Sequence, residues 1–172
     1  MMEKLGYKNP LAVPKIEKVV VNTSFGRLIA GKGKQESAKL YEEILKDLAL
    51  ICGQRPVLAN ARKSISGFKL RQGMPVGANV TLRGQKMYDL LERLIHIVLP
   101  RTRDFAGIEP SSVDKEGNLT VGIKEHIVFP EVGAEDVKRI FGLEVTVVTN
   151  AKTREEGIQL FRLLGFPIKK DA

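Results

Sequence analysis

Two apolar segments, PVLANA (56–61) and VGANVTLRG (76–84), flank a stretch, 62–75, that is broken by Gly67, Gly73 and Pro75. A parallel return would need a crossover, normally a helix with an apolar stripe. Residues 62–75 have no such stripe, and their breakers mark a turn. The two segments therefore pair as antiparallel strands joined through a long tip, which excludes a wholly parallel sheet. The second strand alternates. Val76, Ala78, Val80 and Leu82 point one way, and Gly77, Asn79, Thr81 and Arg83 the other. A strand of this kind packs on one face and leaves a polar face open. IEKVVVNTSF (16–25) repeats the pattern, with Val19 and Val21 opposed to Lys18, Val20 and Asn22.

The rest of the chain supplies cover for the apolar face. Residues 35–52 carry Tyr41, Ile44, Leu45, Leu48, Ile51 and Cys52 at helical spacing, and Gly53 stops the helix. Residues 85–99 carry Met87, Leu90, Leu91, Leu94, Ile95 and Val98 on one stripe, ended by Pro100. Thr153 and Glu156 have capping-box spacing ahead of a third helix, which buries Ile158, Phe161 and Leu164 and ends near Gly165. LTVGIKEHIVF (119–129) reads as a strand with Leu119, Val121, Ile123 and Ile127 on one face, and LEVTVVT (143–149) as another. A short helix is expected near 134–141. Residues 1–14 read as a lead-in, 26–34 as a glycine-rich basic loop and 101–118 as irregular. This order predicts an α+β two-layer sandwich over residues 1–172 as a single domain. Its sheet is mixed or antiparallel, with helices on one face and the other face open. A hydrophobic fraction of 43% in 172 residues is enough for a real core.

Charge says what the open face is for. The chain has 28 Lys and Arg against 20 Asp and Glu, a net of +8. Seven of those bases (Arg55, Arg62, Lys63, Lys69, Arg71, Arg83 and Lys86) fall between Gln54 and Tyr88, a stretch without one acid. Without it, 21 bases meet 20 acids and the net falls to +1. A solvated surface mixes both signs. A one-sign block laced with Gly, Ser, Asn and Gln suits a polyanion. Lys63, Ser66, Lys69, Arg71 and Gln72 put donors for phosphate oxygens on the projecting loop, about 64–77.

Other chemistries find little support. Gly26-Arg27-Leu28-Ile29-Ala30-Gly31-Lys32 has the spacing of a phosphate-binding loop, but Gly33 follows where Ser or Thr would hold magnesium. His96 lies off the main stripe of its helix, His126 is expected on the outward side of a strand beside Lys124, and Cys52 is a core thiol. Their spacings make no metal site. No nucleophile stands beside a plausible base, so no catalytic residue, metal or cofactor is expected. One cysteine excludes an intrachain disulfide and suits a reducing compartment. No apolar run approaches a membrane span, so the expected location is cytoplasmic.

With these residues in place, the chain resembles the universal large-subunit ribosomal protein five family, which binds 5S ribosomal RNA. The resemblance rests on GYKNP (6–10), VPKIEKVVVN (13–22), GQRPV (53–57), ARKSISGFKLRQGMPVGANVTLRG (61–84), LPRTRDFAG (99–107), LTVGIKEHIVFPE (119–131), LEVTVVTNAKTREEG (143–157) and LLGFP (163–167). It implies a structural role in the large subunit's central protuberance, with 5S RNA on the open sheet face and large-subunit RNA and proteins as neighbours. The family's RNA-contacting positions map onto Asn22, Gln54 and Thr81. Lys18 and Arg83 lie on the same polar strand faces. The resemblance also implies that the projecting loop reaches transfer RNA in the peptidyl site, and that a small-subunit head protein is met from the 101–141 half. Family members carry a further helical segment before GYKNP, where five residues stand here, and the 26–34 loop looks longer and more basic than theirs. A general RNA-binding module or chaperone outside the ribosome is the rival reading.

Overall fold

The alternating stretches become one open sheet. The structure, a computed structural model, describes residues 1, 6, 7, 9–103, 105–133 and 139–169. Its elements run β1 (Ile16–Ser24), α1 (Gly26–Ile29), α2 (Lys34–Cys52), β2 (Val57–Asn60), β3 (Pro75–Leu82) and α3 (Gln85–Arg93). A π turn (Leu94–Val98) then leads into α4 (Leu99–Arg101), followed by β4 (Leu119–Ile123), β5 (Leu143–Thr149) and α5 (Arg154–Leu163). The strand order is β2-β3-β1-β5-β4.

Hydrogen bonds at the strand ends fix the directions. β2 and β3 pair antiparallel. Phe25 N–H donates to Val76 O at 3.0 Å, while Arg83 Nη1, just past the far end of β3, donates to Glu17 O at 3.4 Å. Asn150 N–H donates to Lys15 O at 3.1 Å, while Thr23 Oγ1 donates to Gly142 O at 2.8 Å. The hydroxyls of Thr120 and Thr146 are 3.2 Å apart, and a Cβ on Gly142 would lie 3.3 Å from Ile123 O. In each pair the start of one strand meets the end of the other. The sheet is antiparallel throughout, which decides between the two expected sheet types.

The chain forms two compact units, and β1, β4 and β5 pass through both. One comprises Val21–Leu82 and Gly122–Glu144; the other comprises Met1–Val20, Arg83–Val121 and Val145–Ala172. In the first, α2 buries Leu40, Ile44, Leu48 and Ile51, and the strands contribute Val21, Ala78, Val80 and Leu82. In the second, Leu90, Leu94, Val98 and Phe161 from the helices join Val19, Leu119, Val145 and Val147 in the core. Within each unit helices cover the apolar side of the strands and the polar side stays open, as the alternation predicts.

Five local expectations are corrected, the first being Leu164, which is exposed and not buried because α5 ends at Leu163 and the chain turns away at Gly165, whose φ is +92°. Residues 26–29 are not loop but a helical turn, because Phe25 O accepts the N–H groups of Leu28 and Ile29 while both Phe25 and Ile29 are fully buried. The helix does not end before Pro100. Leu99 N–H reaches back to Leu94 O, an i to i−5 bond, and this wider turn accommodates a residue that lacks an N–H and crowds the preceding turn. β4 stops at Ile123 rather than 129. His126 is therefore not outward-facing. It opens a 3₁₀ turn (His126–Val128) and is wholly buried, while Ile127 is only half-buried. The helix expected near 134–141 falls largely on 134–138, outside the described residues. Of the capping box expected at α5, the N-cap bond forms, with Thr153 Oγ1 accepting Glu156 N–H at 3.3 Å, while the Glu156 side chain bonds one residue before the cap. The Glu156 carboxylate takes the Lys152 N–H at 2.8 Å and the Tyr7 hydroxyl at 2.6 Å. That bond raises the Tyr7 pKa and lowers that of Glu156.

Candidate nucleic-acid interface

The open face is a set of alternate strand positions that no helix covers. In the Val21–Leu82 unit, Asn22 and Ser24 of β1 are exposed, as is Thr81 of β3, with Asn79 half-buried between. The bond from Phe25 to Val76 sets the local register. Counted back in antiparallel step, it puts Asn22 across from Asn79 on the same face. Gln54 follows α2 and its Gly53 cap, which takes a left-handed φ of 61°. Its Nε2 donates to Thr81 O at 3.2 Å, so these two predicted residues touch. This contact uses one amide hydrogen and leaves the Gln54 carbonyl and the Thr81 hydroxyl exposed for a ligand. In the other unit, Lys18 is half-buried and Arg83 exposed. The Arg83 bond to Glu17 O holds the guanidinium beside β1 with donors to spare.

The tip is a bonded hairpin, more ordered than its breakers suggest. Ala61 N–H donates to Met74 O at 2.8 Å and Gly73 N–H to Ala61 O at 2.9 Å. Ile65 and Leu70 exchange bonds of 3.0 and 3.1 Å, and Ser64 Oγ accepts Gln72 N–H at 2.9 Å. A 3₁₀ turn, Ser66–Phe68, caps the hairpin, and Lys69 takes the left-handed φ of 52° that closes it. Lys63, Ser66, Lys69, Arg71 and Gln72 are all exposed. Among the described residues, Arg55, Arg62, Lys63, Lys69 and Arg71 have no ion-pair partner. A block of unpaired cations on a projecting hairpin presents its field to solvent.

Two residues outside the predicted set belong with these. Asn79 shares the row of Asn22, and strand alternation alone was enough to find it. Phe68 is 65% exposed in the middle of the tip. An aromatic between cations offers a base a stacking face, and its place beside Lys69 in a stretch without acids is the sequence signal for it. Among the described residues no group of His, Cys, Asp and Glu could hold a metal ion, and no helix is long and apolar enough to cross a membrane.

Comparison with known proteins decides the family. Residues 9–71 match the family described as Ribosomal protein L5, and residues 75–168 match the ribosomal L5P family C-terminus. The chain belongs to the ribosomal protein L5 family. It is 52% identical over 170 residues to the large ribosomal subunit protein uL5 of Dictyoglomus thermophilum, a match covering 99% of this chain and 92% of that one. It is 48% identical, with the same coverage, to the uL5 of Halothermothrix orenii, and 47% identical to that of Desulfotalea psychrophila. The L5 family consists of ribosomal structural proteins rather than enzymes. The glycine–lysine stretch at 26–32 accordingly lies in a family without nucleotide hydrolysis.

Proposed function

We propose that this protein is a structural component of the large ribosomal subunit, working in the cytoplasm, and that it docks 5S ribosomal RNA on its open sheet face. Asn22, Gln54 and Thr81 supply hydrogen bonds there, and Lys18 and Arg83 neutralise phosphates. The tip, through Lys63, Ser66, Lys69, Arg71 and Gln72, faces transfer RNA in the peptidyl site. The 101–141 half meets a small-subunit head protein, and large-subunit RNA and proteins surround the rest as one domain in the central protuberance. The observation that carries this reading is the pairing of an uncovered polar sheet face with a separate hairpin of unpaired cations. Family membership supplies the ribosomal setting. Double-stranded RNA is recognised largely by shape and by hydroxyl and phosphate contacts, which a broad polar face can make.

The deciding experiment is a gel shift with 5S RNA against a length-matched structured competitor. Preference for 5S RNA that persists at physiological salt supports the proposal. Equal binding of both RNAs would favour a general RNA-binding module. Asn22→Ala and Thr81→Ala are each expected to weaken 5S binding by about 1–3 kcal/mol, the range for a polar group left unpaired at a buried contact. A folded Asn22→Ala/Thr81→Ala double variant that binds like wild type would sink the assignment.

A further inference from the structure

Phe68 stands apart from the other phenylalanines of the chain. Phe25, Phe129, Phe141, Phe161 and Phe166 are buried and Phe105 is half-buried, whereas Phe68 is 65% exposed. Its ring has no aromatic or cation partner among the described residues. Ser66 and residues 69–75 line the open cavity between the tip and α2, and Phe68 does not. An added Cβ on the adjacent Gly67 would meet nothing within 4 Å. The ring is therefore turned away from its own fold. Ile65, on the same hairpin, is 47% exposed. An exposed ring forfeits the stabilisation that burial would give it, so packing within the protein does not account for this one.

The backbone under the ring is held. Phe68 ends the 3₁₀ turn, where Lys69 N–H donates to Ser66 O at 2.9 Å, and the Ile65–Leu70 bridge clamps the base of that turn. A ring carried on a bonded turn loses little further backbone freedom when it binds. The surroundings choose what it binds. Lys63, Lys69 and Arg71 have no ion-pair partner among the described residues, and no acid occurs between Gln54 and Tyr88. A flat apolar ring set among unpaired cations matches a partner whose flat apolar faces are strung on an anionic backbone, which is the chemistry of a nucleic acid strand. Within a duplex those faces are stacked on one another, so the faces open to a protein side chain belong to loops, bulges and ends.

We propose that Phe68 stacks on an unstacked base in a loop of the RNA that the tip meets, with Lys69 and Arg71 on the flanking phosphates. This rests on the reading of the tip as facing transfer RNA, and it names what the tip recognises there: the face of a base, and not phosphate charge alone. A tip of this kind favours looped over duplex RNA. It leaves the identity of the base unread, because every base has a π-face.

The test uses large subunits reconstituted with the full-length protein, and reads the affinity for peptidyl-site transfer RNA across a salt series. Phe68→Leu keeps an apolar side chain and removes the ring. It should weaken binding roughly 5- to 100-fold, by the same factor at every salt concentration, because no phosphate contact is lost. Phe68→Tyr, which keeps the ring, should bind like wild type. Lys69→Gln/Arg71→Gln should instead flatten the salt dependence of transfer RNA binding. Transfer RNAs carrying one abasic site at each loop position in turn then locate the base. At one position the abasic site should weaken binding to wild type and cause no further loss in Phe68→Leu, the signature of a shared contact. Wild-type affinity in Phe68→Leu beside a flattened salt dependence in the cation variant overturns the stacking and leaves the tip on transfer RNA. Wild-type behaviour in both variants takes the tip off transfer RNA and overturns both readings. A loss in Phe68→Leu that adds to the loss at every abasic site overturns the proposal in favour of an acidic protein pocket for the ring.

Discussion

Gly157 shows how far a single residue can be fixed by its neighbour. A Cβ there would lie 2.5 Å from the Gly117 Cα and 2.6 Å from its carbonyl oxygen. Both atoms are backbone and cannot rotate away. Gly117 itself turns through a φ of +77° in a loop tied by Asp114, whose carboxylate accepts the N–H groups of Glu116 and Asn118. Gly157→Ala should therefore lower stability by about 1–3 kcal/mol, the usual range for overpacking, read as a lower urea midpoint at unchanged slope. His126 is fixed by burial instead. Phe141 stacks on it at 3.9 Å, the Phe141 N–H meets Nδ1 at 3.4 Å, and Asp47 Oδ2 lies 3.6 Å from Nε2. Burial pushes its pKa below 6.5, and Asp47 pulls only partly the other way. The unfolded chain thus takes up a proton near pH 6.5 while the folded one does not. Stability from this group is full above that pH and falls as pH drops through the window below it, by at most about 1.4 kcal/mol per unit. His126→Gln should flatten that part of a stability–pH curve. Neither feature was legible in the sequence. Gly157 occupies an ordinary helix position, and the period-two pattern that carried Ile123 onward to Ile127 put His126 on the wrong side.

At the scale of elements, strands read more truly than helix ends. Alternation located the buried and open faces of β1 and β3 because side-chain period in a strand leaves no third choice. Helix ends depend on bonding detail. Pro100 reads as a stop, and only the π turn before it lets the helix reach Arg101. The tip is the informative mixed case. Its charge was plain, but its order comes from the Ile65–Leu70 bridge and from a lysine, not a glycine, in the left-handed position. A hairpin so bonded can carry its cations to a partner without being rebuilt. Lys69→Glu with Arg71→Glu should then leave 5S RNA affinity within about twofold while weakening transfer RNA positioning by about 1.5–3 kcal/mol, the range for hydrogen bonds to charged groups. Footprinting of peptidyl-site transfer RNA on reconstituted large subunits, beside a 5S gel shift, checks both halves. Loss of 5S binding in this variant would mean that face and tip form one RNA site.

The whole molecule's charge divides these contacts in a way that salt can measure. The chain carries +8, yet outside Gln54–Tyr88 its bases and acids nearly cancel. Long-range attraction thus comes from that stretch. Only phosphates actually neutralised release counterions, and each adds about 0.7–0.9 to the slope of log affinity against log salt. On the open-face reading Lys18 and Arg83 are neutralising groups for 5S RNA, and Lys69 and Arg71 are not. Arg83→Gln should reduce the 5S slope by about 0.7–0.9 and weaken binding most at low salt. Lys69→Gln/Arg71→Gln should keep the slope and lose only the screened, distance-dependent attraction, a small loss that vanishes once the Debye length falls below about 8 Å near physiological salt. The two variants remove charge from the same stretch, so a mere charge block would treat them alike, in proportion to the charge removed. Slopes that fall twice as far for the double tip variant as for Arg83→Gln would return the stretch to that simpler status. A slope that changes only with Arg83 would tie 5S RNA to the sheet face and leave the tip's cations for a second RNA.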